Sequence, residues 1–400
     1  MRKTFKVQLK PNNKQASKLF LTAAAARYTY NWALEQENSN YAVGKSFIKE
    51  SDLRKQFTQF KKTPEFPEKF KTVSNEAMKQ AIRDAIKAYI RFFKRKAGHP
   101  QFKSARKIKP SFYQETNKIQ FTETHVQIEC LANSKKRNRR RLNWVRLVEH
   151  GRIPTDAKYY NPRITYDGLH WWITVAVDFP DDIGAQCSSD GVGIDLGVKD
   201  FAIVSDGTVY PNLNKTKQLK KLERHKRHLQ RVVSRKYHQN NPQIKNPKKG
   251  ERYRTSKNTI KAKRRHLKAS RRITNILREY CKQFVKTVVS KRPKFVCMEN
   301  LGVKNMMQNH NLAKAIQEQR WYLTRSTMQQ ACVAYQIPFV LANRRYPSSK
   351  RCIKCHYIKR NLTLKDRTYI CDSCGNVIDR DKQAALNLLE YGEINYAPVV

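Results

Sequence analysis

Thr4-Phe5-Lys6-Val7-Gln8-Leu9 alternates polar and apolar side chains, the period of a strand with one buried face. Lys10-Pro11-Asn12-Asn13 then turns, with Asn12 or Asn13 placed to cap a helix. Over residues 14–41 the period becomes helical: Leu19, Ala23, Ala26, Tyr30 and Leu34 fall near one face. A second helix is predicted over 51–61. A third is predicted over 74–96, with Ala81, Ile82, Ala85, Ile86, Tyr89, Ile90 and Phe93 as its apolar stripe and Gly98-His99-Pro100 as its stop. Residues 101–185 return to near-alternation. The stretches 118–130, 142–148 and 163–177 are rich in Val, Ile, Thr, Trp and Phe, and Tyr166-Asp167-Gly168-Leu169 carries a hairpin signal. These segments predict a small β-barrel or sandwich that includes the first strand, with the three helices inserted.

A new unit opens at Gly191. Gly191-Val192-Gly193-Ile194-Asp195 reads as a buried strand, followed by a hairpin through Phe201-Ala202-Ile203-Val204-Ser205-Asp206-Gly207. Residues 216–290 predict two long basic helices on either side of Asn240-Asn241-Pro242 and Asn246-Pro247. Leu219, Leu222, Leu229 and Val232, then Ile273, Ile276, Leu277 and Phe284, supply their packing seam. Lys294-Phe295-Val296-Cys297-Met298-Glu299-Asn300 is a buried strand ending in an acid. A helix over 312–335 and a strand over 338–341 lead to Tyr346-Pro347-Ser348-Ser349-Lys350.

Charge changes the picture most. The 400 residues, enough for two to four domains, carry 82 Lys+Arg against 32 Asp+Glu, a formal net charge of +50. Such an excess repels itself in a free globule and implies a polyanionic partner, nucleic acid before anionic membrane. No long apolar span or lipidation site supports a membrane, and Met1-Arg2-Lys3-Thr4-Phe5 does not read as a signal peptide, so the expected setting is the cytoplasm. The run Lys135-Lys136-Arg137-Asn138-Arg139-Arg140-Arg141 interrupts the β-rich region, and Lys135, Lys136, Arg139, Arg140 and Arg141 are candidate phosphate contacts.

Two motifs carry chemistry. Cys352-Ile-Lys-Cys355 and Cys371-Asp-Ser-Cys374 have the spacing of a four-thiolate zinc site. The other cysteines, Cys130, Cys187, Cys281, Cys297 and Cys332, are scattered and read as buried free thiols. Three acids, each framed by apolar residues, stand at the ends of predicted elements: Asp195, Glu299 and Asp381. An acid in such a frame needs a partner, and a salt bridge would satisfy any one of them. Strand–Asp, strand–Glu and Asp–helix in that order matches a ribonuclease-H-like sheet, in which the three would share Mg²⁺. Asp379 competes with Asp381 for the third role, or acts as a cap; Asp200 and Asp206 read as turn acids.

Nearly the whole chain resembles one family. Lys10-Pro11 with Gln15, Ala26-Arg27-Tyr28-Thr29-Tyr30-Asn31-Trp32-Ala33-Leu34, Ala88-Tyr89-Ile90-Arg91-Phe92-Phe93 and Pro100-Gln101-Phe102-Lys103 are similar to the N-terminal pattern of TnpB proteins. These are RNA-guided nucleases of IS200/IS605- and IS607-type transposons, regarded as ancestors of the Cas12 effectors. Gly193-Ile194-Asp195-Leu196-Gly197-Val198-Lys199-Asp200-Phe201-Ala202 resembles the first RuvC motif of the family and Met298-Glu299-Asn300-Leu301 the second. Pro347-Ser348-Ser349-Lys350, the four cysteines and Asp379-Arg380-Asp381 resemble its zinc ribbon and third motif. Two positions depart from it: Gln383 stands where Asn is usual, and His356 where Gly is usual.

The resemblance implies an α/β plus all-β fold. An RNase H-like RuvC nuclease domain with an inserted zinc ribbon would follow a β-barrel wedge domain that carries a helical recognition insertion. The implied segments are the first wedge strand (1–12), the helical recognition domain (13–99), the rest of the wedge barrel (100–185), the RuvC-like domain with a basic helical hairpin at about 216–290 (186–345), the ribbon (346–376) and a last RuvC segment with the tail (377–400). It further implies Asp195, Glu299 and Asp381 as ligands of catalytic Mg²⁺ or Mn²⁺, two ions, and Cys352, Cys355, Cys371 and Cys374 as ligands of structural Zn²⁺. A guide RNA made from the transposon end, a double-stranded DNA target read beside a short adjacent motif, and a monomeric complex with RNA near the prokaryotic nucleoid complete the expectation. Gln80, on the helix facing the adjacent motif, has the amide to contact adenine in the major groove. Other readings on the same scaffold are a nuclease-inactive RNA-guided repressor and a Cas12f-like CRISPR effector. A strand-transfer transposase ranks lowest, because the sequence offers no histidine pair with a downstream tyrosine suited to that chemistry.

Overall fold

The structure is a computed structural model that describes residues 2–131, 141–178, 190–244, 254–363 and 366–397. It divides into two compact units, residues 1–180 and 181–400. Lys135, Lys136, Arg139, Arg140 and Cys187 lie outside the described residues.

In the first unit β1 (Arg2–Lys10) leads into the helix α1 (Asn13–Ala42). Asn12 accepts from the Gln15 N–H at 2.9 Å while the Gln15 side chain accepts from the Asn12 N–H at 2.9 Å, a capping box that fixes where the strand ends and the helix starts. The same Gln15 amide donates to the carbonyls of Leu142 and Trp144 at 3.0 and 2.8 Å, tying α1 to a distant strand. Helices α2 (Glu50–Phe60) and α3 (Asn75–Phe93), the latter capped by Ser74, complete the predicted trio. The strands β2 (Ser111–Tyr113), β3 (Gln120–Phe121), β4 (His125–Gln127), β5 (Trp144–Leu147), β6 (Tyr159–Tyr166) and β7 (Trp171–Asp178) follow.

With β1 they form a seven-stranded sheet in the order β2-β6-β7-β1-β5-β4-β3, antiparallel throughout. Among the described residues no strand pairing joins the edges β2 and β3. Val7, Leu9, Val145, Ile173 and Val175 pack with Leu19, Leu34, Leu53, Phe57 and Ile82 in a core shared by sheet and helices.

In the second unit β8 (Val192–Asp195), β9 (Asp200–Val204) and β10 (Val209–Pro211) precede the long helices α4 (Lys217–Asn240) and α5 (Lys257–Ser290), whose N-termini are capped by Thr216 and Ser256. Leu219, Ile273 and Leu277 make their seam. Leu229 and Val232 are only half-buried, and Phe284 packs instead into the sheet core. Then come β11 (Val296–Met298), the short α6 (Val303–Met306), α7 (His310–Gln319), α8 (Trp321–Ala334) and β12 (Phe339–Leu341). One helix was predicted where α7 and α8 stand. The break is at Arg320, which takes the left-handed conformation at φ 58° and redirects the chain.

The sheet order is β10-β9-β8-β11-β12, with β9 antiparallel to both of its neighbours β10 and β8, and β8, β11 and β12 parallel. The hairpin of β13 (Thr368–Ile370) and β14 (Val377–Asp379) runs directly into α9 (Arg380–Asn395). Strand alternation sorts the sheet's two faces. Ile194, Val296 and Met298 pack with the second half of α5 and with α8, whereas Phe295 and Cys297 pack with Leu388 of α9. Among the described residues no helix is long and apolar enough to cross a membrane.

Candidate active site and cysteine cluster

Asp195 is the last residue of β8, and Glu299 follows the last residue of β11. These strands are parallel neighbours, and their register sets Met298 beside Ile194. The next residues, Glu299 and Asp195, therefore come side by side on the same face at the C-terminal edge of the sheet. That face is covered by α9. A Cβ on Gly193 would overlap the Ala385 carbonyl and the Leu389 N–H, so the helix lies directly on β8 where that strand has no side chain. Gly193 and Asp195 are two residues apart in the strand, and Ala385 and Asp381 four apart in the helix; the contact that seats α9 thus carries Asp381 toward Asp195.

The three acids line one cavity of about 490 Å³, together with Lys199, Lys215, Ser348, Ser349, Arg367 and Arg380. Asp195 and Glu299 share a hydrogen bond. Burial first, then the charges of Glu299 and Asp381, hold the Asp195 carboxyl well above the usual range, against the opposing pull of Arg380. Burial raises Glu299 as well, partly offset by its bond to Asp195. Arg367 approaches Asp381 at 3.5 Å. Among the described residues the carboxylates do not gather three oxygens within 4.8 Å of one another; only the four cysteines do so with their ligand atoms. An adjoining cavity of about 260 Å³ shares Glu299 and Trp321 and adds Arg325 and Arg344.

The neighbouring acids divide by geometry. Asp379 is the cap of α9: its carboxylate accepts from the N–H groups of Asp381 and Lys382 at 2.9 and 3.0 Å. Asp206 is held in its turn by Lys291 at 2.9 Å and the Thr208 N–H at 2.9 Å, and Asp200 begins β9. Gln383 is fully buried, with neither amide atom hydrogen-bonded.

The four sulfurs lie within 4.8 Å of one another, with Cys352–Cys374 at 3.6 Å and Cys355–Cys371 at 3.5 Å. Four thiolates about 2.3 Å from a tetrahedral ion stand about 3.8 Å apart, whereas a disulfide needs about 2 Å. The donor set therefore fits zinc. Burial pushes the Cys371 thiol up, but the Cys374 and Ser373 N–H groups outweigh it and bring Cys371 down to about 6. The Asn376 N–H favours the Cys374 thiolate, yet its sulfur neighbours drive Cys374 up to about 12, an opposition that a cation relieves. Each knuckle ends in a left-handed residue, His356 at φ 61° and Gly375 at φ 69°. The His356 ring faces Glu390 at 3.2 Å. Arg351 grips the same Glu390 at 2.5 and 2.9 Å, and Asn387 donates to the carbonyls of Ser348 and Arg351 at 2.7 and 2.6 Å. The cluster is thereby clamped to α9, which bears Asp381.

The remaining candidates lie elsewhere. Gln80 donates to Asp84 at 3.0 Å, and Asp84 is held by the two terminal guanidinium nitrogens of Arg163 at 2.8 and 2.9 Å. This leaves the Gln80 carbonyl oxygen and one N–H for another partner. Arg141 is exposed at the start of a single 3-10 turn. Cys281, Cys297 and Cys332 are buried and Cys130 is half-buried. Arg367, Arg351 and Glu390 carried no signal in the sequence, since their roles arise only from contacts across the fold.

Three family models match in succession: a "Helix-turn-helix domain" over residues 1–46, a "Probable transposase" of the IS605 OrfB type over 175–310, and a "Cas12f1-like, TNB domain" over 321–388. The chain is 28% identical over 397 residues to a "Putative RNA-guided DNA endonuclease" of Streptomyces pristinaespiralis, covering 98% of this chain and 90% of that protein. It is 26% identical over 408 residues to the "Putative RNA-guided DNA endonuclease InsQ" of Escherichia coli (strain K12), covering 97% and 92%. The cryo-EM structure of a Cas12f1–sgRNA–target DNA complex shares its fold, with a TM-score of 0.52 at 13% identity over 97% of this chain and 98% of that one. OrfB-type models over residues 1–46 and 175–310, a Cas12f1-like model over 321–388 and relatives aligned over nearly the whole chain together support a member of the TnpB family of IS605-type transposons.

Proposed function

We propose that this protein is an RNA-guided DNA endonuclease with one RuvC-type site built from Asp195, Glu299 and Asp381. The observation that carries the reading is that these acids, 186 positions apart at the extremes (381 − 195), line a single cavity at the edge of one sheet. The strand order and senses support an RNase H-like sheet with the acids at its usual place. The donor set suits divalent ions: three carboxylates line one cavity, and burial disfavours the charges of Asp195 and Glu299 until cations are present. Bound Mg²⁺ or Mn²⁺ would stabilise the attacking and leaving oxygens of an in-line phosphodiester displacement. The protein's own part is to hold the carboxylates in place through α9 and the cysteine clamp, with Lys199, Lys215 and Arg367 on the walls to receive phosphates.

The partners follow from charge. On α4 the exposed Lys220, Arg224, Arg227, Arg231 and Arg235 recur at helical spacing, and on α5 Lys261, Arg264, Arg265, Lys268 and Arg272 do the same. These rows grip guide RNA or the RNA–DNA duplex, aided by Arg141 and the basic run before it. Gln80 reads the short motif beside the DNA target, and base pairing to the guide supplies the rest of the address. The working form is a monomer with RNA in the cytoplasm, near the nucleoid. The test is to sequence the RNA that copurifies with the protein and then to offer duplex DNA matching it. Cleavage that needs Mg²⁺ and disappears in Asp195→Asn is expected. A wild-type protein carrying no discrete RNA would overturn guidance, and cleavage surviving in Asp195→Asn would overturn the site.

A further inference from the structure

The loop joining α1 to α2 and the C-terminal end of α3 bring together Phe47, Tyr89, Phe92, Phe93 and His99. Phe93 stacks 6.1 Å from Tyr89, meets Phe47 edge-on at 5.5 Å and lies 5.7 Å from Phe92, while Phe92 packs against His99 at 5.1 Å. Tyr89 is buried and its hydroxyl is fixed on Asn38 at 2.7 Å, so the outer rings rest on a rigid base. Yet Phe93 is 57% exposed and Phe47 38%. Two left-handed residues shape the surface: Gly44 at φ 71° turns the loop back, and Arg95 at φ 53° ends the helix.

Lys45, Lys49, Lys94, Arg95 and Lys96 flank these rings in sequence; all are exposed, and none forms an ion pair among the described residues. Unneutralised cations around apolar faces repel a second copy of the same surface and attract a polyanion. Braced rings with open faces, set among cations, are what sequence-tolerant binding of single strands uses. A base inside a duplex already has both faces covered; only an unpaired one can stack here.

We propose that this end of α3 is a stacking site for unpaired nucleotides of an RNA or DNA strand. It rests on the nucleic-acid reading above but on no step of cleavage. The test uses the full chain with unstructured RNA and DNA oligonucleotides carrying 5-iodouracil, cross-linked by light and mapped by mass spectrometry. Cross-links at Phe93 or Phe47 are expected, and the stronger of the two oligonucleotides identifies the strand. Phe47→Ala with Phe93→Ala should abolish them and weaken binding about tenfold at unchanged salt slope, while Phe93→Tyr retains both. Replacing Lys94, Arg95 and Lys96 by Ala should instead lower the slope of log affinity against log salt by about 2. Salt-dependent binding with cross-links only elsewhere would overturn this site alone. A self-association lost in the double Phe variant, with cross-linking unchanged, would make a second copy the occupant and also overturn it. Failure of both oligonucleotides to bind would overturn the nucleic-acid reading itself.

Discussion

Asp195 is crowded by two further acids in a place where a carboxylate is already poorly solvated, and its behaviour follows from that conflict. Asp195→Asn keeps the shape and removes the charge. Cleavage is expected to fall at least about a thousandfold, about 4 kcal/mol, with RNA affinity unchanged; RNA binding lost alongside cleavage would mean that Asp195 holds the fold. The pH dependence has a definite sign. Asp195 and Glu299 both bind protons more tightly in the folded chain than in the unfolded one. Their contribution to stability is full below the ordinary acid range and is lost as pH rises through the raised values. In chelator at neutral pH, Asp195→Asn should therefore be more stable than wild type by about 1–2 kcal/mol, an advantage that shrinks toward acid pH in denaturant melts. A less stable Asn variant would show that the charge is compensated without metal. The three acids were legible because a charge framed by apolar residues at an element's end is conspicuous. Arg367 was not: one arginine among 82 Lys+Arg has no mark of its own.

The element that matters most is α9. Its seat on β8 depends on Gly193, so Gly193→Ala should push the helix away and cost about 1–3 kcal/mol, with cleavage reduced beyond the loss of folded protein. Unaltered melting and activity would show that α9 is not held by that contact. The cysteine cluster is the second anchor. Cys371→Ser is expected to release zinc, measurable by metal analysis, and to cost about 3 kcal/mol or more. A wild-type chain that melts identically with and without chelator would exclude that role. Helix limits were legible to within a few residues where caps and stops are written locally, as with Asn12 and Ser74. The break at Arg320 was not, because neither glycine nor proline marks it, and the left-handed turn is stabilised by packing of Ile316 and Trp321 in the core.

For the whole molecule the governing quantity is the net charge of +50. Phosphates gripped by many cations release many counterions, so RNA affinity should fall by about three orders of magnitude between about 50 and 200 mM salt. A flat dependence would deny the basic rows of α4 and α5 their role. The pairing of the first unit's edge strands belongs to this scale as well. Alternation predicted its strands, but whether the edge strands β2 and β3 pair is decided by curvature accumulated over the whole sheet.

Taken alone, the sequence determined what is local or compositional: the strand and helix periods, the caps, the cysteine spacing, the polyanionic partner, and three acids each in need of company. Only the tertiary structure decided that company. The parallel register of β8 and β11 brings Asp195 beside Glu299, and the missing side chain at Gly193 lets α9 deliver Asp381. These are contacts between segments more than a hundred residues apart in one direction and nearly two hundred in the other. Proximity of that kind is set by how layers pack, which no local pattern encodes.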